Sequence, residues 1–237
     1  MKIKHQSESS RDFDFSITSY CNAACPSCKR YPNFNNLYED SPTELNPKLR
    51  QINVDFDDFK SIIERNMHNF KDTNVTYEGE LGDALVHPQV EKFIDYGCSI
   101  FKTLKIVTNG GVRNPSFYKK LGTKYKNLEM IFSIDGMDDD TNQIYRKRVR
   151  TERALLNMTT YATTRYGEGH VYWQFLLFNH NYFEVPDALL LSEMYKIKLH
   201  LKFNQRPKFI INKKRKKIAE DLYEKHKHSF SSIGLGN

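Results

Sequence analysis

Two periods of apolar and polar residues alternate along the chain. Residues 13–18 alternate strictly, the signature of a half-buried strand, and run straight into a cysteine-bearing segment. Phe59, Ile62, Ile63, Met67 and Phe70 then recur at the spacing of one helical face. Further strands are predicted over 74–79, 103–108, 129–134, 171–178 and 198–203, with helical stretches between them. Pro88 opens a helix that Gly97 is expected to end, and Pro115 stands at the first position of another. The apolar-aromatic run over 171–178 reads as a strand buried on both faces, residues 187–195 as a helix, and 211–228 as a basic helix before a Ser/Gly tail.

Strand–helix repeats of this kind build parallel α/β architecture. Six such units predict a partial TIM-like barrel, open on one side, with a basic C-terminal helix added. The expected division is a flexible leader over 1–11, the barrel over 12–205 and the helix and tail over 206–237. In a sheet of this type the chemistry belongs at the carboxyl ends of the strands. The polar motifs Leu81-Gly82-Asp83, Thr108-Asn109-Gly110, Ser133-Ile134-Asp135 and the cysteine segment all fall there. The polar stretch over 30–54 is long for a connection, and such segments usually serve function.

Composition narrows the classes further. With 39% hydrophobic and 27% charged residues the chain has the balance of a globular protein. No apolar run reaches membrane-spanning length and the first residues lack a secretory core, so a cytoplasmic protein is expected. The net charge of +7 leaves an anionic partner open.

Three of the four cysteines lie within eight residues, Cys21-Asn-Ala-Ala-Cys25-Pro-Ser-Cys28. That grouping points to metal ligation rather than disulfides, since thiolates are the soft ligands of zinc and of iron–sulfur clusters. A zinc site needs a fourth Cys or His, and no nearby histidine has finger or ribbon spacing. A redox pair at Cys25 and Cys28 leaves Cys21 without a role. Cys98, on or just after a helix, reads as a buried small hydrophobe.

The C-x3-C-x2-C spacing at the end of the first strand of a six-unit α/β domain resembles the radical S-adenosylmethionine (radical SAM) superfamily. The core is similar to its SPASM/twitch-type branch, without a cysteine-rich C-terminal extension. The resemblance covers about residues 13–203. It implies a [4Fe–4S] cluster on Cys21, Cys25 and Cys28, with S-adenosylmethionine on the fourth, open iron. It further implies cofactor contacts from Gly82 and Asp83, where the family carries a Gly-Gly-Glu-Pro motif, and from Asn109, Ser133, Asp135, Arg146 and Gln174. Ser133 matches a position that binds ribose or carboxylate, and Arg146 an arginine that pairs with the methionine carboxylate; a planar guanidinium fork suits a carboxylate. Ser27 stands where relatives carry an aromatic, and Leu81 where they carry glycine.

The expected activity is reductive cleavage of S-adenosylmethionine to methionine and a 5′-deoxyadenosyl radical, which abstracts hydrogen from a substrate. The electron comes from an external donor such as flavodoxin or ferredoxin. A peptide or protein side chain is the favoured substrate. A nucleotide or nucleic acid is the alternative, motivated by nine Lys or Arg against three Asp or Glu over 206–228. That stretch lacks the aromatic interleaving that stacks bases. Outside enzymes, a zinc-stabilised binding protein is the competing class. Asn204 and Gln205 are further candidates for the substrate pocket.

Overall fold

A computed structural model describes residues 12–31, 44–166, 170–203, 211–226 and 234–236. It contains one parallel sheet in which the strands neighbour each other in chain order. These are β1 (Asp12–Phe15), β2 (Asn74–Tyr77), β3 (Thr103–Thr108), β4 (Leu128–Ser133), β5 (Val171–Leu177), β6 (Lys198–Phe203) and β7 (Gly234–Gly236). The intervening helices are α1 (Phe56–Arg65), α2 (Met67–Phe70), α3 (Val90–Ile100), α4 (Pro115–Lys124), α5 (Asp139–Tyr145), α6 (Thr151–Thr164), α7 (Val185–Met194) and α8 (Lys213–His226). Among the described residues no helix is long and apolar enough to cross a membrane.

The sheet has two chemically distinct faces because side chains alternate along each strand. Val75, Tyr77, Leu104, Ile106, Met130, Phe132, Trp173, Phe175, Leu199 and Leu201 are buried beneath the helices. Aromatic edges knit this layer, with Tyr77 against Phe59 and Phe93, and Tyr118 against Phe132. The inner face carries Lys105, Glu129, Tyr172, Gln174, Lys198 and His200, in register across neighbouring strands.

Several expected elements differ in detail. β5 alternates buried and half-buried positions, so it is covered on one face only. Its inner positions Tyr172, Gln174 and Leu176 face the open side, which an apolar-aromatic sequence conceals. Gly97 lies inside α3 rather than at its end. A Cβ there would come 2.7 Å from the Tyr77 hydroxyl, so close packing, not helix termination, accounts for it. Ile62 is 47% exposed, and the apolar face read over 59–70 is split at Asn66 between α1 and α2. The glycine-rich tail adds a seventh strand by pairing with β6. The leader, residues 204–210, with Asn204 and Gln205 among them, and residues 32–43 of the long connection lie outside the described residues.

Candidate active site

β1 ends at Phe15, and the chain then runs along the carboxyl end of the sheet as the loop bearing the thiols. The returning leg of the long connection fastens its start: Val54 N donates to Ile17 O (2.9 Å) and Ser19 Oγ to Arg50 O (2.8 Å). His87 Nδ1 accepts from Gln89 N, which leaves Nε2–H to donate to Val54 O at 3.0 Å and pins the same leg. Further along, Ala24 N donates to Lys147 O (3.0 Å), and Ser27 Oγ bonds the Tyr145 hydroxyl (2.9 Å). The turn after β2 closes in from the other side, where Asp83 N donates to Tyr20 O (2.9 Å). A Cβ on Gly82 would lie 2.2 Å from Thr18 O, so only glycine permits that approach.

These elements enclose a cavity of about 350 Å³. Cys21, Cys25 and Cys28 all line it, with Arg30, Gly82, Asp83, Asn109, Ser133, Tyr145 and Arg146. Among the described residues no three His, Cys, Asp or Glu side chains converge on a point that would hold a single metal ion. A mononuclear zinc centre draws its ligands to about 2.0–2.3 Å from one atom. Three thiols on the wall of one cavity are soft donors of the kind that zinc and iron–sulfur clusters take.

Burial pushes the Cys21 thiol up to about 12, reinforced by Asp83 and Cys25. Burial likewise pushes Cys25 up to about 11, with Arg146 pulling the other way. Both thiols therefore hold their protons at neutral pH until a cation displaces them. Ala23 N (3.4 Å) and Asn109 Nδ2 (3.8 Å) point at Cys21 Sγ and favour its anionic form.

Two buried carboxylates frame the cavity. Asp83 Oδ2 accepts from Thr108 Oγ1 (2.9 Å), Asn109 N (2.8 Å) and Asn109 Nδ2 (2.7 Å), while Oδ1 accepts from Leu85 N (3.0 Å). Asn109 also exchanges amide bonds with Asn22 inside the cysteine loop, at 2.7 and 3.3 Å. Asp135 Oδ2 accepts from Arg146 Nε at 2.6 Å, and Oδ1 from Leu176 N at 2.8 Å. Burial opposes the Arg146 charge, and the adjoining Asp135 more than offsets it.

Gly82, Asp83, Asn109, Ser133 and Arg146 thus come together with the three cysteines. Asp135 is fully buried, with Oδ2 accepting from Arg146 and Oδ1 from Leu176, so it holds the guanidinium at the cavity wall. Gln174 sits on the inner face, paired in register with Ser133 and His200, but is not part of the cavity wall. Cys98 lies in α3 against the hydrophobic core. Sequence reasoning missed Arg30 and Tyr145. The signal for the first was a charged residue two places after Cys28; for the second it was an aromatic preceding Arg146.

No family model matches the chain. In sequence it is 25% identical over 134 residues to the antilisterial bacteriocin subtilosin biosynthesis protein AlbA of Bacillus subtilis, over 56% of this chain and 26% of AlbA. In fold it is similar to Streptococcus suis SuiB bound to S-adenosylmethionine, with a TM-score of 0.69, 13% identity, and 95% of this chain on 50% of SuiB. SuiB bound to its precursor peptide SuiA gives a TM-score of 0.65 at 14% identity, with 95% of this chain on 48% of SuiB. Native anSMEcpe with bound AdoMet gives 0.65 at 13% identity, 94% of this chain covering 63% of that protein. The chain therefore spans about a quarter of AlbA and half of SuiB. The chain thus has the partial-barrel fold of SuiB and anSMEcpe, both solved with S-adenosylmethionine bound, and carries its three-cysteine loop after the first strand of that fold.

Proposed function

We propose that this chain is a radical SAM catalytic core that holds a [4Fe–4S] cluster on Cys21, Cys25 and Cys28 and modifies a peptide or protein side chain. The observation that carries the reading is the presence of all three thiols on the wall of one cavity at the carboxyl end of the sheet. With S-adenosylmethionine at its open iron, such a cluster supplies one-electron cleavage of the sulfonium to methionine and a 5′-deoxyadenosyl radical that takes hydrogen from the substrate.

The residues divide the remaining work. The thiols give up their protons on ligation, and the amides of Ala23 and Asn109 favour the sulfur anions. Arg146, held by Asp135, presents a guanidinium to the methionine carboxylate. The Gly82 turn brings main chain to the wall, where the methionine ammonium would seat; the Asp83 carboxylate is already occupied by Thr108, Asn109 and Leu85. Ser133 offers a hydroxyl to ribose or carboxylate, and Gln174, further into the barrel, an amide to adenosine. An external one-electron donor such as flavodoxin or ferredoxin completes the reaction.

The peptide substrate is supported by the relatives: AlbA is named for subtilosin biosynthesis, and SuiB is bound to a precursor peptide. The connection over 30–54 leaves the cluster loop and returns beside Ser19, which suits it to substrate recognition.

The test is anaerobic reconstitution with iron and sulfide. The wild-type chain takes up a [4Fe–4S] cluster, while Cys21→Ala, Cys25→Ala and Cys28→Ala each lose it. Reduction with S-adenosylmethionine yields methionine and 5′-deoxyadenosine, and a peptide substrate raises the yield. A colourless protein carrying stoichiometric zinc after anaerobic handling would overturn the reading.

A further inference from the structure

Two guanidiniums line the cavity, and among the described residues only that of Arg146 has a carboxylate partner. Arg146 pairs with Asp135. Arg30, two residues past Cys28, is 3% exposed and forms no ion pair among the described residues. Its Nη1 donates to two main-chain carbonyls, Ser19 O and Leu81 O, the second at 2.7 Å. Its Nε is buried without a hydrogen-bond partner. The neighbouring cation, Lys29, is exposed and paired with Glu80, so that acid is already taken.

A guanidinium stays charged at every accessible pH, and a buried charge without a partner is strongly disfavoured. Carbonyl dipoles offset part of the charge but supply no anion. An anionic group held by Cys21, Cys25 and Cys28 in the cavity that Arg30 lines would supply such a partner. Three thiolates on a doubly positive [4Fe–4S] core leave one net negative charge, and one-electron reduction makes it two. A fixed cation nearby favours the more negative state.

We propose that Arg30 is the resident countercharge of the cysteine-held cluster and raises its reduction potential. The inference rests on the cluster reading above and assigns a positioning charge that the reading does not need. The electron comes from an external donor, passes to the cluster, and is balanced by no proton.

The full chain is reconstituted anaerobically as wild type, Arg30→Gln and Arg30→Lys, without S-adenosylmethionine, and titrated against dithionite with spectroscopic detection of the reduced cluster. In Arg30→Gln the oxidised-to-reduced ratio at a fixed potential rises about tenfold, equal to a midpoint about 59 mV lower for one electron. Arg30→Lys stays within about twofold of wild type, because the charge is kept and only the fork is lost. An unshifted Arg30→Gln, or equal shifts in both variants, would overturn the proposal while leaving the cluster reading intact. A wild-type chain that takes up no cluster would instead sink that reading, and this proposal with it.

Melting of the cluster-free proteins supplies a second measurement that does not require assembly in the variant. Arg30→Gln should then be at least as stable as wild type, since an uncompensated charge has been removed. A cluster-free Arg30→Gln that melts well below both wild type and Arg30→Lys would show the guanidinium to be a brace for the Ser19 and Leu81 carbonyls, against the proposal.

Discussion

Two buried carboxylates beside the thiols and a histidine beyond β5 whose ring nitrogens are buried stand in opposite states. Beside the thiols the oxygens of the two buried carboxylates are all engaged: Asp83 by Thr108, Asn109 and Leu85, and Asp135 by Arg146 and Leu176. Beyond β5, His180 lies stacked on Phe178 at 5.0 Å with both ring nitrogens buried and unpartnered among the described residues. On β6, burial holds the His200 imidazole below its ordinary pKa, with Lys202 and Lys198 adding to the effect. A saturated network fixes geometry before a ligand arrives, as cluster and cofactor binding demand. Polar groups left unsatisfied keep a cost that a partner can relieve on binding.

The sharpest way to break this contrast is to remove the ion pair. In Asp135→Asn the buried Arg146 loses its counterion, and breaking such a pair from one side costs about 3–5 kcal/mol. The double variant Asp135→Asn with Arg146→Met should recover much of that loss, because neither charge remains. Urea denaturation of the cluster-free proteins measures both. Equal losses in the single and double variants would mean that Asp135 matters through Leu176 N and not through the guanidinium.

Which parts of this arrangement could be read in advance follows from how each residue acts. β6 has the predicted limits because apolar and polar residues alternate without interruption, and β3 because its mostly apolar centre is bounded by threonines and followed by an Asn-Gly turn signal. β5 was misjudged because Tyr172 and Leu176 are apolar on the open face, where sequence offers no contrast with Trp173 and Phe175. β7 has no strand signal at all, since glycine contributes none; its pairing is supplied by the exposed edge of β6. The cysteines, Gly82, Asn109 and Ser133 follow or end strands, which brings them to one side of the sheet, and Arg146 reaches the same cavity from the end of α5. The Asp135–Arg146 pair has no sequence signal, because a carboxylate at a strand end can turn to a ligand or to a neighbouring arginine. Arg30 was invisible for a related reason: a Lys-Arg pair in a loop reads as solvated charge until the fold buries one of the two.

A smaller effect tests the saturated side itself. Asn109→Ala removes the amide that joins Asp83, Asn22 and the neighbourhood of Cys21. Asp83 keeps its bonds from Asn109 N, Thr108 and Leu85, so the expected loss is about 1–3 kcal/mol rather than collapse. Iron uptake should slow because the cysteine loop is less fixed, while the final cluster content stays near wild type. A complete loss of iron binding would instead make Asn109 a direct determinant of the site.

The smallest effect lies on the unsaturated side and appears as a pH slope. Burial holds the His180 imidazole down at about 4, against 6.5 for the free group. The folded state therefore favours neutral histidine and the unfolded chain takes the proton first, so stability is present above about 6.5 and falls as pH drops towards 4. His180→Phe keeps the stack on Phe178 and removes the titration. At pH 7 the variant should match wild type or slightly exceed it. At pH 5 it should be more stable by about 1 kcal/mol, a figure reduced from the full shift because the ring is partly exposed. Urea midpoints at the two pH values decide the matter. Parallel declines in the two proteins would show that His180 finds a partner when protonated, and the contrast between the two sides would then rest on β6 alone.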